Sequence, residues 1–125
     1  MQNLTKNKTI ANLKRSTCSL ANTLDLIGDK WSLLIVRDMV IFNKHRYGDF
    51  LTTDEGIHTN ILADRPKRLE ENGLIEKTPY QYNPVRYEYH LTDKGKDLEP
   101  MMREMIQWGL KHIPGTSPRQ TTPAL

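Results

Sequence analysis

The chain has little of what would take it out of the class of ordinary one-domain proteins. It has a single cysteine, Cys18, so an internal disulfide is excluded and a zinc site would have to be built from scattered histidines. No apolar run exceeds four residues, Leu33 to Val36 and Met39 to Phe42 being the longest. A bilayer span needs about 20, so no membrane partner is expected. The lysines near the start are followed by neither an apolar stretch nor a small-residue cleavage site, which leaves no legible secretory signal and points to the cytoplasm. The triplets Asn3 to Thr5 and Asn7 to Thr9 then carry no glycosylation meaning. With 125 residues there is room for one core and not for two.

Catalytic patterns are missing too. His45, His58, His90 and His112 fall in a loop, a helix start, a strand and a helix end, with no i, i+4 pair for zinc. There is no glycine-rich phosphate loop and no nucleophile paired with a base, so neither an enzyme nor a metal or cofactor is expected.

The net charge of +3 is unevenly placed. Residues 1–17 hold Lys6, Lys8, Lys14 and Arg15 and no acid, whereas residues 18–113 hold 13 bases against 15 acids. A basic arm, 1–17, thus precedes a body that is not basic; the arm would be drawn to any polyanion. Residues 117–125 are mostly Pro, Thr, Ser and Gln, and read as a disordered tail.

Between them, Leu20, Ala21, Leu24 and Ile27 mark one face of a short helix, with Gly28 suited to a left-handed cap. Asp29 is placed to cap a second helix over about Lys30 to Val40. Its apolar residues cover most of its circumference, as in a central, buried helix. A short helical piece around Tyr47 to Leu51 and a polar turn follow. The next helix runs from about Thr59 to Asn72, closes at Gly73 and carries the stripe Leu62, Pro66, Leu69. The period then changes to two. Ile75 to Tyr80 and Val85 to Leu91 read as a half-buried hairpin joined by Gln81 to Pro84. A last helix starts at Thr92 and Asp93 and runs to Ile113.

This order is that of a winged helix-turn-helix, a mainly α fold (α+β) with a small β-hairpin wing. The side of the fourth helix opposite its apolar stripe presents Thr59, Asn60, Ala63, Asp64 and Lys67. Asn suits adenine, while the Thr hydroxyl and Ala methyl suit base edges. His58 at the helix start joins this face. Arg46, Arg65, Arg68 and Lys67 are placed for phosphates, and Arg86, with Tyr82 and Asn83, for an adjacent minor groove. Glu70 and Glu71, one turn from Lys67 and Arg68, make ion pairing within the helix the competing use of those bases. The expected partner is double-stranded DNA. A winged helix making only protein contacts is the alternative, favoured by the neutral-to-acidic body and separable by salt-sensitive DNA retention.

From Cys18 to about Thr116 the chain resembles the HxlR-type family of winged helix-turn-helix transcriptional regulators, a MarR-like branch. The resemblance runs through Cys18, Leu24-Asp25-Leu26-Ile27-Gly28, Lys30-Trp31, Leu33-Leu34-Ile35 and Thr59 to Arg65. It continues through Arg68 to Ile75, Tyr87-Glu88-Tyr89, Leu91-Thr92, Lys94-Gly95, Pro100 and Trp108-Gly109. It implies a homodimer through the first and last helices, with Leu20, Leu24, Met101, Met105, Ile106, Trp108 and Leu110 at the interface. It also implies modulation by oxidants, electrophiles or a small-molecule effector in some members. The chain departs from the family pattern at three places: Pro66 replaces a leucine, His58-Thr59 replaces a Ser-Pro helix start, and Ser19 replaces a proline after Cys18. Cys18 aligns with a position that some members use as a thiol switch. A helix N-terminus with Lys14 and Arg15 nearby favours a thiolate there. A small packing role is the competing reading of Cys18. Pro66, lacking an amide for the Leu62 carbonyl, predicts that the fourth helix kinks or ends early.

Overall fold

In a computed structural model, residues 16–118 are described. The basic arm up to Arg15 and the tail from Arg119 onward lie outside the described residues. The elements are α1 (Ser19–Ile27), α2 (Lys30–Val40), α3 (Tyr47–Phe50), α4 (Thr59–Glu71), β1 (Ile75–Tyr82), β2 (Val85–Leu91), α5 (Asp93–Lys96) and α6 (Glu99–His112). This is a winged helix-turn-helix, with α3 and α4 as the two helices of the motif and the antiparallel β1–β2 hairpin as the wing.

α2 is the central helix. Asp29 caps it, accepting the Ser32 amide at 3.0 Å, and Ile35, Val36 and Met39 are buried. Against them lie Leu62 and Leu69 of α4, Phe50 of α3, Leu74 and Ile75 at the root of the wing, and Met102 of α6. The loop between α2 and α3 belongs to the wing as well: the Tyr89 amide donates to the His45 carbonyl at 2.7 Å, and Arg46 bridges to Glu88.

Four local expectations are corrected. Gly28 is not left-handed (φ −75°); a Cβ there would instead meet the Leu24 carbonyl oxygen, so the position needs glycine for close approach. Gly73 does take φ +75° and closes α4, with the Leu74 amide donating to the Leu69 carbonyl at 2.9 Å. The expected last helix is two, broken at Asp97 and Leu98; Pro100 therefore sits in the first turn of α6, where its missing amide costs nothing. β1 runs on to Tyr82, leaving Asn83 and Pro84, joined by a cis peptide bond, at the tip. Its register slips between Pro79 and Gln81, since Pro79 has no amide to give the ladder. The hairpin is half-buried only at its root: Val85, Arg86 and Tyr87 are exposed, and burial begins at Glu88.

α4 passes through Pro66 and continues from Lys67 to Glu71, so the expectation of an early end is corrected. The buried proline ring takes the place on the core side of the helix that the stripe assigned to it, between Leu62 and Leu69. An interior helical proline costs about 3 kcal/mol. Pro66→Leu restores the amide and lengthens the core side chain; it is expected to raise the thermal midpoint by several degrees in calorimetry. An unchanged midpoint would show that the core is already fitted to the proline.

Candidate nucleic-acid interface

The N-terminal turn of α4 is open. His58 occupies the cap with extended backbone and no side-chain hydrogen bond to the helix, so the first-turn amides keep their capacity for an outside acceptor. Thr59, Asn60, Ala63 and Lys67 are all exposed, because burial of Leu62, Pro66 and Leu69 turns the opposite side of the helix outward. His58, Thr59, Asn60, Ala63 and Lys67 thus come together on one surface.

Arg65 does not join them. Its Nε donates to Asp29 Oδ2 at 2.9 Å and its Nη1 to Asp64 Oδ2 at 2.7 Å, and only 18% of the side chain is exposed. The phosphate role expected of Arg65 is therefore corrected to a structural one, a clasp from α4 to the cap of α2. Burial pulls the Asp29 carboxyl upward, but hydrogen bonds from Arg65 and Ser32 outweigh it and hold the group below the usual Asp value. The bond to Asp29 likewise keeps the Arg65 guanidinium above its ordinary range. Arg68 pairs back to Asp64 at 3.8 Å, not forward to the glutamates.

A second set of charges, unforeseen from the sequence, fixes the turn that carries α4. Asp38 is fully buried in α2. Its Oδ1 accepts Arg37 Nε at 3.0 Å and Nη2 at 2.7 Å, while its Oδ2 lies 2.7 Å from the Thr53 hydroxyl. Arg37 also forks onto Glu55, with Nη1 to Oε2 at 2.7 Å and Nη2 to Oε1 at 2.8 Å. Thr53 and Glu55 belong to the turn between α3 and α4, so this node fastens the helix-turn-helix to α2. The bond from Arg37 holds the Glu55 carboxyl below its ordinary range despite partial burial. A charged pair inside the apolar run of α2 was the available signal, because buried charges are retained only when paired.

Arg46 stands beside the middle of the wing. Its guanidinium stacks on the Tyr80 ring, 3.7 Å from the centroid, and reaches Glu88 Oε2 at 3.2 Å, with half the side chain still exposed. Tyr80 is the residue left over at the register slip. Beside it, His45 Nδ1 lies 2.9 Å from the Tyr89 carbonyl, and the ring stacks on His90 with centroids 5.0 Å apart. Farther out, Tyr82 is 70% exposed, and Asn83 and Arg86 are also exposed.

α1 and α6 carry exposed apolar side chains. Leu20 and Leu24 of α1 are 66% and 57% exposed, and Met105 and Trp108 of α6 are 53% and 61%. Met101, Ile106 and Leu110 are half-buried; Ile113, not foreseen, is exposed too. Cys18 is exposed at the cap of α1, its Sγ accepting the Ala21 amide at 3.5 Å. Among the described residues no helix is long and apolar enough to cross a membrane, and no group of three or more His, Cys, Asp or Glu stands together as for a metal.

The family model described as HxlR-like helix-turn-helix matches residues 26–117. Rv3095 of Mycobacterium tuberculosis, an uncharacterised HTH-type transcriptional regulator, is 38% identical over 96 residues, which are 77% of this chain and 60% of that protein. The chain thus spans well under two thirds of the length of the mycobacterial relatives it matches. YdzF of Bacillus subtilis, also an uncharacterised HTH-type transcriptional regulator, is 34% identical over 88 residues, 70% of this chain and 81% of that protein. Among solved structures, the redox regulator HypR in its reduced form aligns with a TM-score of 0.70 and 31% identity, covering 78% of this chain and 95% of that one. The relatives are regulators, not enzymes.

Removing one member of a buried charged network leaves the other uncompensated, at a cost of about 3 to 5 kcal/mol. Arg37→Ala is expected to lose that much in denaturant unfolding at neutral pH. Its pH profile should change as well. A carboxyl with a lowered folded pKa stabilises above its unfolded value and loses the contribution as pH falls through the folded one. The parent therefore loses stability as pH drops below the ordinary Glu value of 4.5, and Arg37→Ala should lack the Glu55 share of that loss. A variant with parental stability and acid profile would show that the node holds nothing.

Proposed function

The chain belongs to the HxlR-like helix-turn-helix family, and on that premise we propose that it regulates transcription by binding double-stranded DNA as a homodimer. The observation that carries this reading is the exposed, largely uncharged face of α4, with Thr59, Asn60 and Ala63 at the open helix start and Lys67 behind them. Such a set suits base edges in a major groove, Asn60 toward adenine and the Ala63 methyl toward thymine, with the first-turn amides toward a phosphate. Arg46, held out from the wing by Tyr80, takes a backbone phosphate, and Arg86 with Tyr82 and Asn83 follows the neighbouring groove. The basic arm, residues 1–17, adds sequence-independent attraction to the same polyanion. Such a regulator works in the cytoplasm.

Dimerisation is supported by the uncovered apolar face of α1 and α6. Leu20, Leu24, Met105 and Trp108 are each more than half exposed, an arrangement that a monomer in water would not keep without a use for it. Two copies joined there would present two α4 helices to half-sites about one turn apart. Cys18, at the cap of α1, is exposed, and a redox regulator stands among the structural neighbours. With no second cysteine in the chain, its oxidation would join two subunits or bind a small thiol.

Asn60→Ala is expected to weaken binding to the specific site by about 1 to 3 kcal/mol and narrow the gap to random DNA, whereas Arg86→Ala weakens both and flattens the salt slope. Unchanged specific binding by Asn60→Ala in a titration at fixed salt would remove α4 from the groove. Loss of salt-sensitive retention altogether would favour a protein-contact module.

Light scattering at micromolar concentration should give a dimeric mass. Diamide should alter DNA affinity of the parent but not of Cys18→Ser. A monomeric mass overturns the dimer, and equal diamide responses leave Cys18 a capping residue.

A further inference from the structure

α4 and the root of the wing do not close on one another. Between them lies a groove of about 410 Å³, within the size range of small-molecule sites. Its floor is one i, i+4 row of α4: Leu62 and Pro66, both buried, then Glu70. The adjacent row, Ala63, Lys67 and the exposed Glu71, forms its rim, and the side across from α4 is lined by Tyr47, Lys77 and Tyr89.

Glu70 is the group that does not fit a structural account. It continues a buried apolar row, is itself half-buried, and stands in none of the ion pairs among the described residues. Its field is felt by the Tyr89 phenol, which burial first and then Glu70 and Tyr47 hold above the usual tyrosine range, so that phenol remains a donor. The nearby bases do not answer it. Lys67 is exposed on the rim, and the Lys77 ammonium lies over the Tyr87 ring, 4.7 Å from its centroid. An apolar floor, two tyrosine rings and two carboxylates, of which the half-buried Glu70 has no cation on it, are complementary to a flat apolar body with a positive head, held by Coulomb attraction and by the ring faces.

We propose that this groove binds a small organic cation, an amidinium, guanidinium or protonated amine on an aromatic body, with its charge on Glu70 and its ring between Pro66 and the two tyrosines. Ala63 and Lys67 belong both to the groove rim and to the face proposed to meet DNA, so an occupant hinders α4 from seating. That coupling rests on the reading of α4 given above; the site itself does not.

The test uses benzamidine hydrochloride as the probe, titrated into the full-length protein and followed by backbone amide NMR. Saturable shifts are expected at Ala63, Lys67, Glu70 and Lys77. Glu70→Gln, which keeps the shape, should weaken the probe at least tenfold, and Tyr47→Ala, which removes an exposed wall, should weaken it too. Benzoate should not saturate the same amides. Shifts that survive Glu70→Gln, that arise elsewhere, or that benzoate reproduces would overturn the site. In a separate arm, benzamidine should lower retention on the cognate DNA for the parent and not for Glu70→Gln; undiminished retention with the groove filled overturns the coupling. If the untreated protein retains no DNA, the reading of α4 falls, and the amide shifts still decide the groove.

Discussion

Asp38 is a fully buried ionisable side chain, set in the central helix α2, against which α4, α6 and β2 pack. Left alone, a buried carboxylate would cost more than a domain of this size can spare. Arg37 and Thr53 make it tolerable, and in doing so they decide where the turn after α3 lies. Because Arg37 also reaches Glu55, with Nη1 and with the Nη2 it shares with Asp38, the turn is held at two points, and α4 leaves it in one direction. The pairing is directional where apolar packing is not. A core of Leu, Ile and Met would accept α4 at several rotations, but the fork of Arg37 and the clasp of Arg65 on Asp29 accept only one.

The same economy governs the bases near the exposed face. Arg65 and Arg68 both turn to Asp64, and Arg65 also to Asp29. Only the bond from Arg65 to Asp29 reaches another element and orients α4; the pairs with Asp64 lie within the helix. Arg46 is intermediate: stacked on Tyr80 and paired with Glu88, it is held in place while half its side chain stays in water. Preorganised in this way, it has less rotamer entropy to lose on meeting a phosphate. Arg86, Lys67 and the wing tip are not held, so their contribution to any polyanion is mainly long-range.

Pro66 joins the core to the groove. It removes one hydrogen bond from the middle of α4, yet the helix runs on because Leu62 and Leu69 are fully buried on either side of it. The compact ring fills less space than a longer aliphatic chain would, and the gap continues past it to Glu70 and the tyrosines. Pro66 thus belongs both to the core and to the lining of the groove.

Much of this was legible in one dimension. α2 spans Lys30 to Val40 as its apolar pattern and the Asp29 cap indicated, and Leu62, Pro66 and Leu69 are the buried stripe of α4, because periodicity reports which side of an element faces the core. The change of period marked the wing, and the order of elements with the quoted motifs identified the family. The use of each charge was not legible. Arg65 meets a carboxylate 36 residues earlier, Arg37 one 18 residues later, and Arg46 a ring on the far strand. Local patterns carry no information about such pairings, which depend on how helices rotate against one another once the core has closed. The sequence alone therefore determined the order of elements, the buried sides of α2 and α4 and the kind of fold, through side-chain hydropathy and backbone propensity; the break between α5 and α6 and the exposed outer half of the wing were not in it. Tertiary structure alone decided which bases are spent on holding α4 and which are left facing outward, since a guanidinium is claimed by whichever carboxylate packing brings within about 3 Å.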